Sequence, residues 1–142
     1  MNDQLVTRQT LTLAVAKQLA AAAETEALAH GWNVAIAVVD DGANLLYLQR
    51  MDGTQLASTE IALAKAVSAI KYKRPTKAFE DTLVGGRQAI LRLPGAMPVD
   101  GGLPLVWHGE YLGAIGVSGV QAHEDAVVAG AGADALEKIV GP

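Results

Sequence analysis

Two glycine-bounded segments, separated by about fifty residues, constrain this chain more than any other feature. The first runs from Asp40-Asp41-Gly42-Ala43-Asn44-Leu45 to Arg50-Met51-Asp52-Gly53. The second runs from Gly101-Gly102-Leu103-Pro104-Leu105 into Gly113-Ala114-Ile115-Gly116-Val117-Ser118-Gly119. Each reads as a β-hairpin with polar residues at its rim, because turn formers bracket apolar runs. Hairpins imply antiparallel pairing and exclude a doubly wound parallel sheet.

Between and around the hairpins the pattern is helical. Residues 7–30 carry Leu11, Val15 and Leu19 at i+4, with Thr7 as the expected N-cap and His30-Gly31 as the stop. Val34 to Val39 is a continuous β-branched and alanine run, which predicts a strand covered on both faces. Leu45 to Arg50 is its antiparallel partner. A second helix is expected over Ser58–Lys73, with alanines that let it lie close to a sheet; Arg74-Pro75 ends it. Thr76 is placed to cap a short helix over Lys77–Leu83, and residues 87–93 lean towards another short helix. Pro94–Gly102 is a loop. Leu103–Trp107 and Tyr111–Val117 are strands joined at His108-Gly109, and a last helix is expected over Ala122–Ile139. The order α-β-β-α-(α)-β-β-α makes one domain over residues 1–142, of α/β class in the α+β sense, with helices on both faces of the sheet.

Composition narrows the function classes. With 51% hydrophobic residues the chain can bury a core without staples, and with no cysteine it has neither disulfides nor thiolate metal sites. A net charge of −4 argues against a general nucleic-acid binder. The polar start Met1-Asn2-Asp3-Gln4 has no signal-peptide pattern, and no apolar run reaches the roughly 18 residues of a membrane span, so no membrane partner and a cytoplasmic location are the expectation. Charge is uneven: residues 50–92 hold eight of the eleven Lys and Arg residues against four acids. That segment is either a solvated helix face or a basic rim for an anionic ligand.

The chemistry-bearing residues are few. Arg50, Asp52, Lys65, Tyr72 and Arg74 stand at element ends or on the second helix. Lys65 either snorkels outward from its alanine-rich surroundings or points inward as a base or carboxylate anchor. His30 reads as a helix C-cap, His108 as a hairpin tip, and His123-Glu124-Asp125 as a helix start whose acids complement the dipole. Neighbouring helix positions point about 100° apart, so these three cannot all grip one ion. The glycines of Gly113–Gly119 lie inside a strand rather than a βαβ turn, which excludes a dinucleotide loop; they suit close approach of a helix or of a ligand's flat face. HExxH, P-loop and GxSxG motifs are absent.

Six segments in order, Val34–Asp40, Arg50–Gly53, Ile61-Ala62 with Lys65-Ala66, Arg74–Thr76, Gly101–Leu105 and Gly113–Gly119, resemble the GlcG/HbpS family of haem-binding proteins, which includes the C-terminal domain of a cobalamin adenosyltransferase. The resemblance spans about Leu11 to Leu136. It implies a profilin-like three-layer α/β/α sandwich around an antiparallel sheet of about five strands, homo-oligomers from tetramer to octamer, and a haem or catabolic-operon context. On that footing the expected ligand is a planar anionic molecule, haem first. Arg50, Lys65 and Arg74 would meet its carboxylates, Tyr72 would offer a ring face, and Gly101 and Gly102 would border the pocket. His108 or His123 would ligate iron. The alternative is a cofactor-independent isomerase, tautomerase or hydrolase on a small carboxylate or aromatic metabolite, with Lys65, Asp52 or Glu60 moving a proton. Either way the middle third should fold against the second hairpin and enclose a cavity.

Overall fold

A computed structural model describes residues 2–142. In chain order the elements are α1 (Leu13–His30), β1 (Ala35–Asp40), β2 (Leu45–Arg50), α2 (Ser58–Tyr72), α3 (Thr76–Val84), a 3₁₀ turn (Gln88–Arg92), β3 (Gly102–Trp107), β4 (Glu110–Ser118), α4 (Ala122–Asp134) and α5 (Leu136–Val140). The strands form one antiparallel sheet in the order β2-β1-β4-β3, so the two hairpins meet through β1 and β4. The sheet has four strands, one fewer than expected. The remaining extended segment, before α1, makes one backbone bond, Leu11 N–H to Leu112 O at 3.4 Å, and forms no ladder.

Alternation along β1 divides the core. Val34, Ile36 and Val38 face one way with Ile115 and Val117, and α1, α4 and Leu136 of α5 pack there. Ala35, Ala37 and Val39 face the other way with Ala114, and α2 covers them with Ala62, Ala66 and Ala69. The result is a three-layer α/β/α sandwich, with branched side chains on one side of the sheet and alanine on the other. The alanine side permits unusually close approach. A Cβ at Gly116 would stand 2.1 Å from Ala62 O and 2.6 Å from Ala66 N, so the α2 backbone rests on that glycine.

The turns follow their chemistry. Asp40 Oδ1 accepts from the backbone N–H groups of Gly42 and Asn44, both at 2.9 Å, which closes the first hairpin. His108 (φ 50°) and Gly109 (φ 76°) both take the left-handed conformation that a two-residue hairpin requires. Several boundaries differ from expectation. Helix α1 starts at Leu13, not near residue 7, and Thr12 rather than Thr7 caps it, its Oγ1 accepting from Val15 N–H at 3.2 Å. The cause is Leu11, which is buried and holds the preceding chain extended across the sheet. Thr76 does not cap α3: Pro75 takes the N-cap position. Thr76 is buried, and its Oγ1 accepts from Gly102 N–H at 2.9 Å, fastening α3 to β3. The expected single C-terminal helix breaks at Ala135, which turns Leu136 into the core. Among the described residues, no helix is long and apolar enough to cross a membrane.

Candidate functional site

Lys65 takes the inward of its two readings. Seating α2 on the glycines of the second hairpin carries its side chain through the core edge, where Nζ donates to Val117 O at 2.9 Å and to Asp125 Oδ2 at 3.1 Å. The pair is enclosed, with side-chain exposures of 1% and 3%. The other Asp125 oxygen accepts Val120 N–H at 3.1 Å, so one carboxylate joins α2, the end of β4 and the first turn of α4. Burial pushes the Asp125 carboxyl above the usual carboxylate range, and the adjacent ammonium pulls it part of the way back. Gly101 closes the pair from above, since a Cβ there would stand 2.8 Å from Lys65 Nζ. Gly102 is equally committed: a Cβ on it would fall 2.5 Å from Lys65 O.

The second helix therefore does face the glycine-lined hairpin, but no hollow separates them. The glycines serve the approach of the helix, and Arg50, Lys65 and Arg74 do not converge on one cavity. Arg50 and Asp52 are exposed at the end of β2, where with Glu24 and Asn33 they line a shallow cleft of about 390 Å³. Glu60 is exposed on α2, so Lys65, Asp52 and Glu60 share no cleft either. The histidines are scattered. His30 stacks on Trp32, ring centroids 4.1 Å apart, and bonds Glu26 at 2.9 Å. His108 stacks on Trp107 at 4.0 Å, and His123 is exposed at the start of α4. Among the described residues, no three His, Asp or Glu side chains are placed to hold a metal ion.

Tyr72 and Arg74 do come together, in a cleft of about 320 Å³ between the end of α2, α3 and the 3₁₀ turn. Its other main walls are Phe79, Arg87, Ile90 and Leu93. Lys73, in the left-handed conformation (φ 53°), ends α2 and turns the chain so that Tyr72 and Arg74 meet α3. Tyr72 packs edge-on against Phe79 with centroids 5.0 Å apart, and its hydroxyl donates to Pro94 O at 2.6 Å. Arg74 lies over the Phe79 ring, Cζ 5.5 Å from the centroid, with Nε donating to Tyr72 O at 3.0 Å. Neither Arg74 nor Arg87 has a carboxylate within ion-pair distance among the described residues. The cleft thus combines two unopposed guanidiniums with an aromatic and aliphatic wall. Phe79, Ile90 and Leu93 had not been singled out from sequence. For Ile90 and Leu93 the signal was their spacing from Arg87, since residues three apart line up around a 3₁₀ turn; Phe79, on α3, had no such mark.

Comparison with known proteins places this geometry in context. A family model described as "Haem degrading protein HbpS-like" matches residues 11–134. Protein GlcG of Escherichia coli K12 is 39% identical over 112 residues, covering 79% of this chain and 84% of GlcG. A double mutant of Streptomyces reticuli HbpS superposes with a TM-score of 0.87 at 32% identity, covering 96% of this chain and 93% of that one. A structure described as a PduOC:heme complex superposes with a TM-score of 0.81 at 27% identity, covering 89% of this chain and 94% of that one. With the family match spanning nearly the whole sandwich, from the buried Leu11 to the end of α4, the chain belongs to the HbpS-like family.

Proposed function

We propose that this protein is a small-ligand-binding homo-oligomer whose ligand is haem or a closely similar planar tetrapyrrole carboxylate, held in the cleft of Tyr72, Arg74 and Arg87. The observation that carries this reading is the pair of guanidiniums without carboxylate partners beside the Tyr72 and Phe79 rings. Propionate groups are met by charge-assisted, often bidentate guanidinium bonds, and a flat macrocycle gains from an aromatic and aliphatic wall. The family description and the haem-bound PduOC structure support the same ligand class.

The donor set fits the acidic edge and one face of the macrocycle. Arg74 and Arg87 would hold the propionates, and Phe79, Ile90 and Leu93 would exclude water from the ring. When bound, haem would supply an iron centre whose reactivity depends on the side chain that ligates it. Tyr72 is the side chain in the cleft with an oxygen suited to iron. His108 and His123 lie on other surfaces of the protomer, so as iron ligands they would act from a neighbouring subunit. The proton-transfer alternative draws no support from the geometry, because the Lys65 ammonium is enclosed.

Titration with haem, followed by absorbance, tests the reading. A saturable Soret band is expected. Arg74→Ala and Arg87→Ala should each weaken binding about 10-fold, the range of a hydrogen bond to a charged group. Band position should stay fixed in those variants and move in the variant that removes the iron ligand, among Tyr72→Phe, His108→Ala and His123→Ala. An unsaturable signal, or full affinity in the Arg74→Ala/Arg87→Ala double variant, would remove the cleft from consideration.

A further inference from the structure

Lys73 stands out by its conformation. It ends α2 at φ 53° and ψ 45°, a left-handed geometry that glycine or asparagine adopts at lower cost. The helix dipole gives no reason for a lysine there, because Lys71 already puts a cation in the last turn. Lys73 has no ion-pair partner in its own chain among the described residues. Its ammonium instead lies over the Tyr111 ring, 5.3 Å from the centroid. The fold thus holds this cation in place without matching its charge.

Lys73 and Tyr111 are part of the wall of a cavity of about 290 Å³. Ile70, only 5% exposed, adds an apolar surface beside the ring. The extended chain before α1 closes the far side. Thr10 Oγ1 accepts Asp41 N–H at 3.4 Å and donates to Leu112 O at 3.4 Å, which fastens this segment to the first hairpin turn and to β4. Arg8 then stands beside Asp41, its Nε 3.4 Å from Oδ2. Glu110 adds a second acid to the lining. Arg8 and Asp41 answer one another, so Lys73 is the cation left for a ligand, next to an aromatic and aliphatic surface. None of the residues lining this cavity lines the Tyr72–Arg74 cleft.

We propose that this cavity binds a small monocarboxylate with a flat apolar body, its carboxylate on the Lys73 ammonium and its body against Tyr111 and Ile70. Three features select that class. An ammonium without a partner gains a charge-assisted hydrogen bond from a carboxylate. Asp41 and Glu110 oppose a second negative charge, which disfavours a phosphate dianion. The volume is at the small end of ligand sites and suits a single ring rather than a macrocycle. The site is separate from the Tyr72–Arg74 cleft, so the inference stands whether or not haem is the ligand there.

Benzoate is the probe, titrated into the full chain labelled with ¹³C at its isoleucine methyl groups. Ile70 reports on this cavity and Ile90 on the Tyr72–Arg74 cleft. Saturable shifts are expected at Ile70, with Ile90 unmoved. Benzamide keeps the shape without the charge and should bind about 10-fold more weakly, or not at all. Lys73→Asn retains a residue suited to the left-handed turn and should weaken benzoate about 10-fold or more, whereas Lys73→Arg should keep most of the affinity. Lys73 is exposed, and an unchanged isoleucine spectrum before titration verifies folding of each variant. Benzoate that never saturates, shifts at Ile90 in place of Ile70, equal binding of benzamide, or full affinity in Lys73→Asn would each overturn the proposal.

Discussion

Lys65 is the largest side chain that the fold encloses completely, and its position is a compromise between solvation and pairing. An ammonium at that depth is tolerable because a carboxylate and a carbonyl replace its water, with Val120 N–H completing the carboxylate. Removing one partner strands the other. Lys65→Met should therefore lower stability by about 3–5 kcal/mol, the usual cost of leaving a buried charge unpaired. The double variant Lys65→Met/Asp125→Asn should lose less than the two single changes added together, because no charge then remains inside. Urea unfolding of the four proteins measures the coupling; strict additivity would show that the two side chains act independently. From sequence, both orientations of Lys65 were open, since its partner lies 60 residues away and no local rule links them.

At the level of elements, the alanine face controls how α2 sits. The helix rests on Gly116 and Gly102 with essentially no free space, so a single methyl group acts as a wedge. Gly116→Ala should cost about 3 kcal/mol or more, the upper end of overpacking, because the atoms it meets are helix backbone and cannot rotate aside. Gly130→Ala in α4 has open space around its Cβ and should instead gain about 0.5–1 kcal/mol from helix propensity. Midpoints of chemical denaturation separate the two, and equal effects would contradict the packing account. The hairpins, α2 and the buried β1 were legible because turn residues and apolar runs carry local information. The start of α1 was not: Thr7 and Thr12 are equivalent caps by type, and the choice is made by Leu11 entering the core. The cleft was half legible. Tyr72 and Arg74 were identified as residues at a helix end, whereas Phe79, Ile90 and Leu93 reach them only through the turn at Lys73 and the packing of α3.

Across the whole molecule, stability should carry a signature of its buried acids. Burial raises the Asp100 carboxyl above its ordinary range, with Glu80 adding to the shift and Gly101 N–H opposing it; Asp125 is raised by burial as well. A carboxyl raised in the fold binds more protons there than in the unfolded chain. Its contribution is complete below the ordinary carboxylate range and is lost as pH climbs through the folded value. The Tm of the wild type minus that of Asp100→Asn should accordingly increase as pH is lowered from about 7 towards 4. Taking the difference cancels titration elsewhere on the surface, and a flat difference would show that Asp100 is not raised. The uneven charge along the chain predicted a basic middle third, yet that charge is distributed over several faces. Linear clustering reports which residues are neighbours in sequence, whereas β2, α2 and α3 point their cations in different directions.

The lysine–aspartate latch also has a consequence in time. As the nascent chain leaves the ribosome, α2 and its ammonium emerge well before the carboxylate at position 125 has been translated. Until then the first hairpin can form, but the core cannot shut around Lys65 without isolating a naked cation. Truncated products that stop short of α4 should stay open and be recognised by proteases, so that completion of synthesis and completion of the core become the same event.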